Sequence, residues 1–114
     1  MVFGMEFEID IDRNEAESNI WDIIVVDRLY IAILQILYRD KALDASKALS
    51  TPEIYRAIRR EIDKEVRYKQ IWKRLYRLLS YGVIEKVGEN PIKWYIKKEY
   101  IDEISRVLSA SKII

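Results

Sequence analysis

Lys69, Lys73 and Arg77 stand four residues apart, with Gln70, Tyr76 and Ser80 among them at helical spacing. On a helix of 3.6 residues per turn these side chains share one side, and no carboxylate interrupts it. Positive charge, an amide and a phenol in one row can bind a polyanion and read polar edges. Bond-making chemistry has much less to work with, because the chain holds no cysteine and no histidine. That removes disulfides, thiolate catalysis and cysteine-zinc sites, and also the commonest general base and metal ligand. An enzyme would be left with carboxylates, lysine or tyrosine. No catalytic residue, metal-ligand set or cofactor is assigned, and the chain is read as a binding protein rather than an enzyme.

The row needs a helix to carry it. Ile71, Leu75, Leu78, Leu79 and Gly82 recur on the opposite side, which must be buried, so the spacing predicts a helix from Val66 to Tyr81. Gly82 ends it by accepting a left-handed conformation. Two β-type runs follow, Val83–Val87 and Ile92–Lys97, joined by the turn signal Gly88-Glu89-Asn90-Pro91. Trp94, Tyr95 and Ile96 are read as strand packing, and Tyr68 and Trp72 as hydrophobic packing at the helix flank, favoured about two to one over contact with a ligand's bases. Upstream, Ser50 or Thr51 can cap a second helix, with Pro52 in its first turn beside Glu53. Ile54, Ile58 and Ile62 supply its buried side, which leaves Arg56, Arg59 and Arg60 to solvent or to phosphates. Asp63-Lys64-Glu65 makes the turn between the two helices.

Earlier still, Ile20–Arg39 is a long apolar run. Asp22, Asp27 and Arg28 would each cost roughly 2.5–3.5 kcal/mol at a bilayer centre, so it is read as one soluble helix and no membrane partner is expected. One stripe, Val26, Leu29, Ile33, Ile36 and Leu37, is expected to face the core. A second, Ile20, Ile24, Ile31, Leu34 and Tyr38, lies on nearly the opposite side, interrupted by Asp27. A helix apolar on two sides is buried on two sides. The second layer could be the C-terminal helix, the N-terminal strand or another subunit. A homodimer is expected, with Ile31 in its interface. Asp40–Leu49 reads as a long connection.

The N-terminus alternates strictly: Phe3, Met5, Phe7, Ile9 and Ile11 are apolar, and Gly4, Glu6, Glu8, Asp10 and Asp12 lie between them. This pattern is a strand that needs a partner edge. Its four acids could ligate a hard cation, though such a row more commonly forms a solvated face that discourages edge association; it could also repel a polyanion locally and help orient the basic helices. Asn14 to Asn19 turns the chain. The first residues are acidic where a signal peptide would be basic.

At 114 residues, half of them apolar and a third charged, the chain is long enough for one globular core. The expected organisation is an acidic strand and turn over 1–19, a central domain over 20–98 and a C-terminal helix over 99–114. The net charge of +1 conceals segregation: residues 1–22 hold seven acids and one base, −6, so 23–114 carry +7. From Glu53 to Arg77 nine bases stand against four acids, a local +5. Scarce Asn and Gln with abundant Ile, Lys, Arg and Glu are compatible with a thermophilic source.

From Ser50 to about Leu108 the chain resembles the winged helix-turn-helix DNA-binding family, in the form common among archaeal and archaeal-virus regulators. The residues that carry the resemblance are the helix pair LSTPEIYRAI and VRYKQIWKRLYRLLSYG, the helix end YGVIEK and the return strand KWYIKKEYIDEI. It implies an α+β fold, a winged helix-turn-helix with an extra N-terminal β-strand and a C-terminal helix. It also implies a cytoplasmic transcriptional regulator (host cytoplasm if viral) that binds double-stranded DNA as a homodimer.

The helix over 66–81 would then enter the major groove. Lys69, Gln70 and Lys73 would lie nearest the bases, Gln70 in a paired contact with adenine. Tyr76, Arg74 and Arg77 would touch the backbone, with Arg56, Arg59, Arg60, Arg67 and Lys93 completing the DNA-binding set. The short wing, which carries Glu89, should contribute little. A narrower resemblance, to the Z-DNA-binding class, rests on Tyr76, Pro91 and Trp94; Trp72 and Tyr68 replace that class's usual asparagine and lysine. As a protein-interaction module, the same fold would use Trp72, Tyr76 and Tyr81 as anchors.

Overall fold

The computed structural model describes residues 20–111, which form an α+β unit of five helices and one three-stranded antiparallel sheet. The expected acidic strand and the turn before residue 20 lie outside the described residues. A short helix, α1 (20–25), comes first and stops at Val26 and Asp27. Helix α2 (Arg28–Arg39) then starts afresh.

The single helix expected over 20–39 is therefore two, and Asp27 is the reason. Its backbone is extended, φ −110° and ψ 108°, and its carboxylate accepts from the N–H groups of Leu29 at 2.9 Å and Tyr30 at 3.3 Å. An acid at this position satisfies donors that a helix start would otherwise leave unpaired. Val26, expected in the core, lies on the turn and is 81% exposed.

Helix α2 is the centre of the molecule. Eight of its twelve residues are buried, on both sides, as the two stripes require. It packs against α3 (Thr51–Glu61), α4 (Tyr68–Ser80), α5 (Ile101–Ser111) and the central strand of the sheet. Ile104 of α5 is fully buried in the same core as Ile24, Ile31 and Leu34 of the second stripe, and the Tyr38 hydroxyl lies 3.3 Å from Ser105 Oγ. The second stripe is thus covered within the chain. It needs no other subunit, and Ile31, expected at a dimer interface, is 1% exposed in the single chain.

Between α2 and α3 the long connection is more structured than its sequence implies. Asp44 caps a 3₁₀ turn (Ala45–Lys47), and the two-residue strand β1 (Leu49–Ser50) pairs with the last strand. Helix α3 begins as its sequence predicts. Ser50 Oγ accepts from Glu53 N–H at 3.3 Å, and Glu53 Oε1 accepts from Ser50 N–H at 2.8 Å, a reciprocal capping box followed by Pro52. Asp63 then accepts from the N–H of Glu65 at 2.9 Å and tightens the turn into α4.

Helix α4 buries Ile71, Leu75 and Leu78 and ends on Gly82, φ +82°. The Gly82 N–H reaches the Leu79 carbonyl at 2.9 Å and the Val83 N–H reaches that of Leu78 at 3.1 Å, the paired bonds of a Schellman end. Strands β2 (Ile84–Val87) and β3 (Lys93–Ile96) form the hairpin, with β3 central in the order β1-β3-β2. At its tip Gly88 has φ +80°, and a Cβ there would lie 2.9 Å from the Pro91 carbonyl oxygen. Among the described residues no helix is long and apolar enough to cross a membrane.

Because Ile31 lies inside the single-chain core, Ile31→Glu is expected to unfold the protein rather than split a dimer. Circular dichroism should show a large loss of cooperative melting. A well-folded variant with a reduced mass by light scattering would instead place Ile31 between subunits.

Candidate nucleic-acid interface

Burying Ile71, Leu75 and Leu78 turns the opposite side of α4 outward, and Lys69, Gln70, Lys73, Tyr76, Arg77 and Ser80 are all exposed there. Arg67 precedes them as the residue flanking the helix start. Arg56, Arg59 and Arg60 are exposed on α3, and Lys93 on β3. Two shallow concavities gather some of these groups, but not Tyr76, Arg77, Ser80 or Lys93. One, of about 380 Å³, is lined by Arg67, Lys69, Gln70, Lys73 and Arg74. The other, of about 460 Å³, is lined by Tyr55, Arg56, Arg59, Arg60 and Lys64. Neither lining includes a carboxylate. Lys64 is an addition to the expected set.

Two of the expected contacts are engaged elsewhere. Arg74 is engaged within the chain: its Nε lies 3.1 and 3.2 Å from the Asp27 carboxylate oxygens and its Nη2 lies 3.0 Å from Oδ2. Its Nη1 donates to the Gln70 carbonyl at 3.1 Å, and the guanidinium sits 5.5 Å above the Tyr30 ring. This fork–carboxylate geometry makes Arg74 a brace between α4 and the start of α2. Gln70 is also committed. Its Oε1 accepts from the Arg67 N–H at 2.8 Å and so satisfies one donor at the start of α4. A paired contact to adenine needs that oxygen and the amide NH₂ together, so it is not available while the cap stands.

The remaining cations are freer. Arg60 pairs with Glu61 at 2.9 Å, which also meets Arg39, and Arg59 donates to the Tyr55 hydroxyl at 3.3 Å. Among the described residues Arg56, Arg67, Lys69, Lys73, Arg77 and Lys93 form no ion pair with a carboxylate. The Tyr81 phenol partners Arg77 and, with Tyr30, holds its pKa above the ordinary value.

The hairpin is joined to the helices through Trp94. This side chain is fully buried, its Nε1–H donates to Thr51 Oγ1 at 2.8 Å, and its ring meets Tyr76 edge-on at 5.1 Å and 88°. It packs as expected of a strand residue and offers no surface to a ligand, which takes one residue from the set that resembles Z-DNA binders. Lys86 lies opposite Trp94 in the β2–β3 register and holds its Nζ 5.6 Å over the Tyr76 ring. That lysine was not among the expected site residues. Its position follows from the register, since cross-strand partners share a sheet face. Among the described residues no three of His, Cys, Asp and Glu come together as metal ligands.

No protein-family model, characterised protein or solved structure matches the chain.

The Asp27–Arg74 brace has a pH signature. Burial raises the Asp27 pKa, but the hydrogen bonds and charge of Arg74 with the Tyr30 and Leu29 N–H groups outweigh it, leaving the carboxyl below its usual range. A depressed carboxyl pKa stabilises the fold above the unfolded-state value, near 3.9, and that contribution is lost as pH falls through the folded value. Asp27→Ala should therefore cost about 1–3 kcal/mol at pH 7, from the lost cap and the unpaired guanidinium. Urea denaturation at pH 7 and at pH 3 should show the gap between variant and parent narrowing in acid. An equal gap at both values would mean that the carboxylate charge contributes nothing.

Proposed function

We propose that this chain is a winged helix-turn-helix protein that binds double-stranded DNA with α4 in the major groove and acts as a transcriptional regulator. The observation that carries the reading is the outward row of Lys69, Lys73 and Arg77 on a helix whose other side is packed on α2. The capped helix α3 lies before it and a hairpin follows. An α-helix fits the major groove, where the base edges differ.

In this reading Lys69 and Lys73 approach the base edges. Arg77 from α4 and Arg67 just before it, with Arg56, Arg59 and Arg60 from α3, meet phosphates and set the register. Lys93 and Lys86 extend the charge along the hairpin. Arg74 acts by positioning α4, and Gln70 by capping it. Two copies on a two-fold site remain part of the proposal, because regulators of this kind read paired half-sites; the covered stripe of α2 does not supply their contact.

A protein-interaction module is the competing reading, favoured by the exposure of Trp72 and Tyr76, and salt separates the two. Neutralising about four or five phosphates per subunit predicts that log K falls with log salt at a slope of roughly −4, whereas an apolar protein contact responds little. In fluorescence anisotropy, changing Lys69, Lys73 and Arg77 together to alanine should weaken duplex binding by at least about tenfold and flatten that slope. The melting temperature should hardly change, since all three side chains are exposed. Binding as tight as the parent's would rule out α4 as the reading helix.

A further inference from the structure

The basic row of α4 has aromatic neighbours whose ring faces a paired duplex would not use. Tyr68, Trp72 and Tyr76 follow at four-residue steps and are 43%, 38% and 38% exposed. The rings are held edge to face: Tyr55 of α3 on Tyr68 at 5.3 Å and 79°, and Trp72 on Tyr76 at 6.1 Å and 86°. Tyr76 in turn meets the buried Trp94. A band of rings therefore runs from α3 to the hairpin, with Lys69 and Lys73 beside it on α4 and Lys86 at its end.

Large rings left in water have a cost that ordinary packing would remove. In the major groove of a paired helix they meet base edges and thymine methyls, never base faces, because the faces are stacked on their neighbours. An unpaired base exposes its face. Stacking of such a base on an aromatic ring contributes binding without reading sequence, and flanking cations hold the adjoining phosphates. The edge-to-face contacts also fix the rings beforehand, so little side-chain freedom is lost when a base arrives. The cations beside the band, unopposed by carboxylates in the concavity lining, favour a polyanion over an apolar protein partner.

We propose that the Tyr68–Trp72–Tyr76 band, with Trp72 as its centre, stacks an unpaired base, so that the chain prefers duplex DNA carrying an extrahelical nucleotide. This rests on the DNA-binding reading above and adds the kind of DNA that the site selects. Trp72 touches the unpaired base in this scheme; Lys69 and Lys73 keep their place at the base edges, and the arginines around them hold the strands on either side.

The test compares a perfect labelled duplex with the same duplex carrying one extra unpaired nucleotide, by fluorescence anisotropy at fixed salt. The parent should bind the bulged duplex at least about tenfold more tightly. Trp72→Leu should erase that ratio and leave affinity for the perfect duplex within about twofold, whereas Trp72→Phe, which keeps a ring, should retain most of it. Tyr68→Leu, at a separate exposed position, should reduce the ratio and guards against a fold defect peculiar to Trp72. Equal affinity of the parent for both duplexes overturns the proposal, as does a Trp72→Leu variant that weakens both alike. Perfect-duplex binding without a bulge preference would defeat the stacking proposal alone; failure to bind either duplex would defeat the DNA reading with it.

Discussion

The carboxylate of Asp27 fixes two helices at once. It accepts backbone N–H groups at the start of α2 and the guanidinium of Arg74 from α4, 47 residues later in the chain. Side chains of both partners are only about a quarter exposed, at 25% and 26%, so the charges are partly desolvated and their geometry matters. Pinning Arg74 toward α2 sets the rotation of α4 about its own axis. Lys73, Arg77 and Lys69 lie on the side of α4 away from the buried Ile71, Leu75 and Leu78 and face solvent. The bond that helps to set the orientation of the basic row is not itself in the row.

Packing reinforces that orientation. A thirteen-residue helix such as α4 is marginal alone in water, so its stability comes from the face it buries. Ile71, Leu75 and Leu78 contribute on the order of 1.5–3 kcal/mol each by burial. They meet α2, which is buried on two sides and holds α3, α4, α5 and the sheet together. The hairpin is tied in separately, through the Trp94–Thr51 hydrogen bond to the first residue of α3 and the Trp94–Tyr76 ring contact to α4. Helices and hairpin therefore share one frame, and a ligand on α4 also senses the aromatic band and the hairpin lysines.

What the sequence made legible was local. The start of α3 could be read from Ser50, Pro52 and Glu53 because a capping box is complete within four residues, and the end of α4 from Gly82. The buried side of α4 followed from spacing alone. Asp27 was harder, because an acid inside an apolar run looks like an interruption of one continuous helix; it becomes a cap only when the backbone leaves the helix before it. Strand β1 has two residues and exists by pairing with β3, which no local pattern announces. Periodicity showed that α2 needs cover on two sides but did not say which element supplies it. In the site, exposure of Lys69, Lys73 and Arg77 was readable from the helical wheel, whereas the engagement of Arg74 depends on a residue far away in sequence. Gln70 lay within reach of a local signal, as a glutamine three residues after a helix-flanking residue, but Arg67 is not one of the usual capping types.

A nitrogen–proton correlation titration of the labelled chain with duplex DNA tests the central claim most directly, because it reports on every backbone amide without altering a residue. Saturable shift changes concentrated at Arg67, at Lys69, Lys73, Tyr76 and Arg77 of α4 and at Arg56 and Arg59 of α3, with α5 unaffected, are the predicted result. Changes gathered on α5 and the Tyr38 side of the molecule, or none at a saturating excess of DNA, would contradict it.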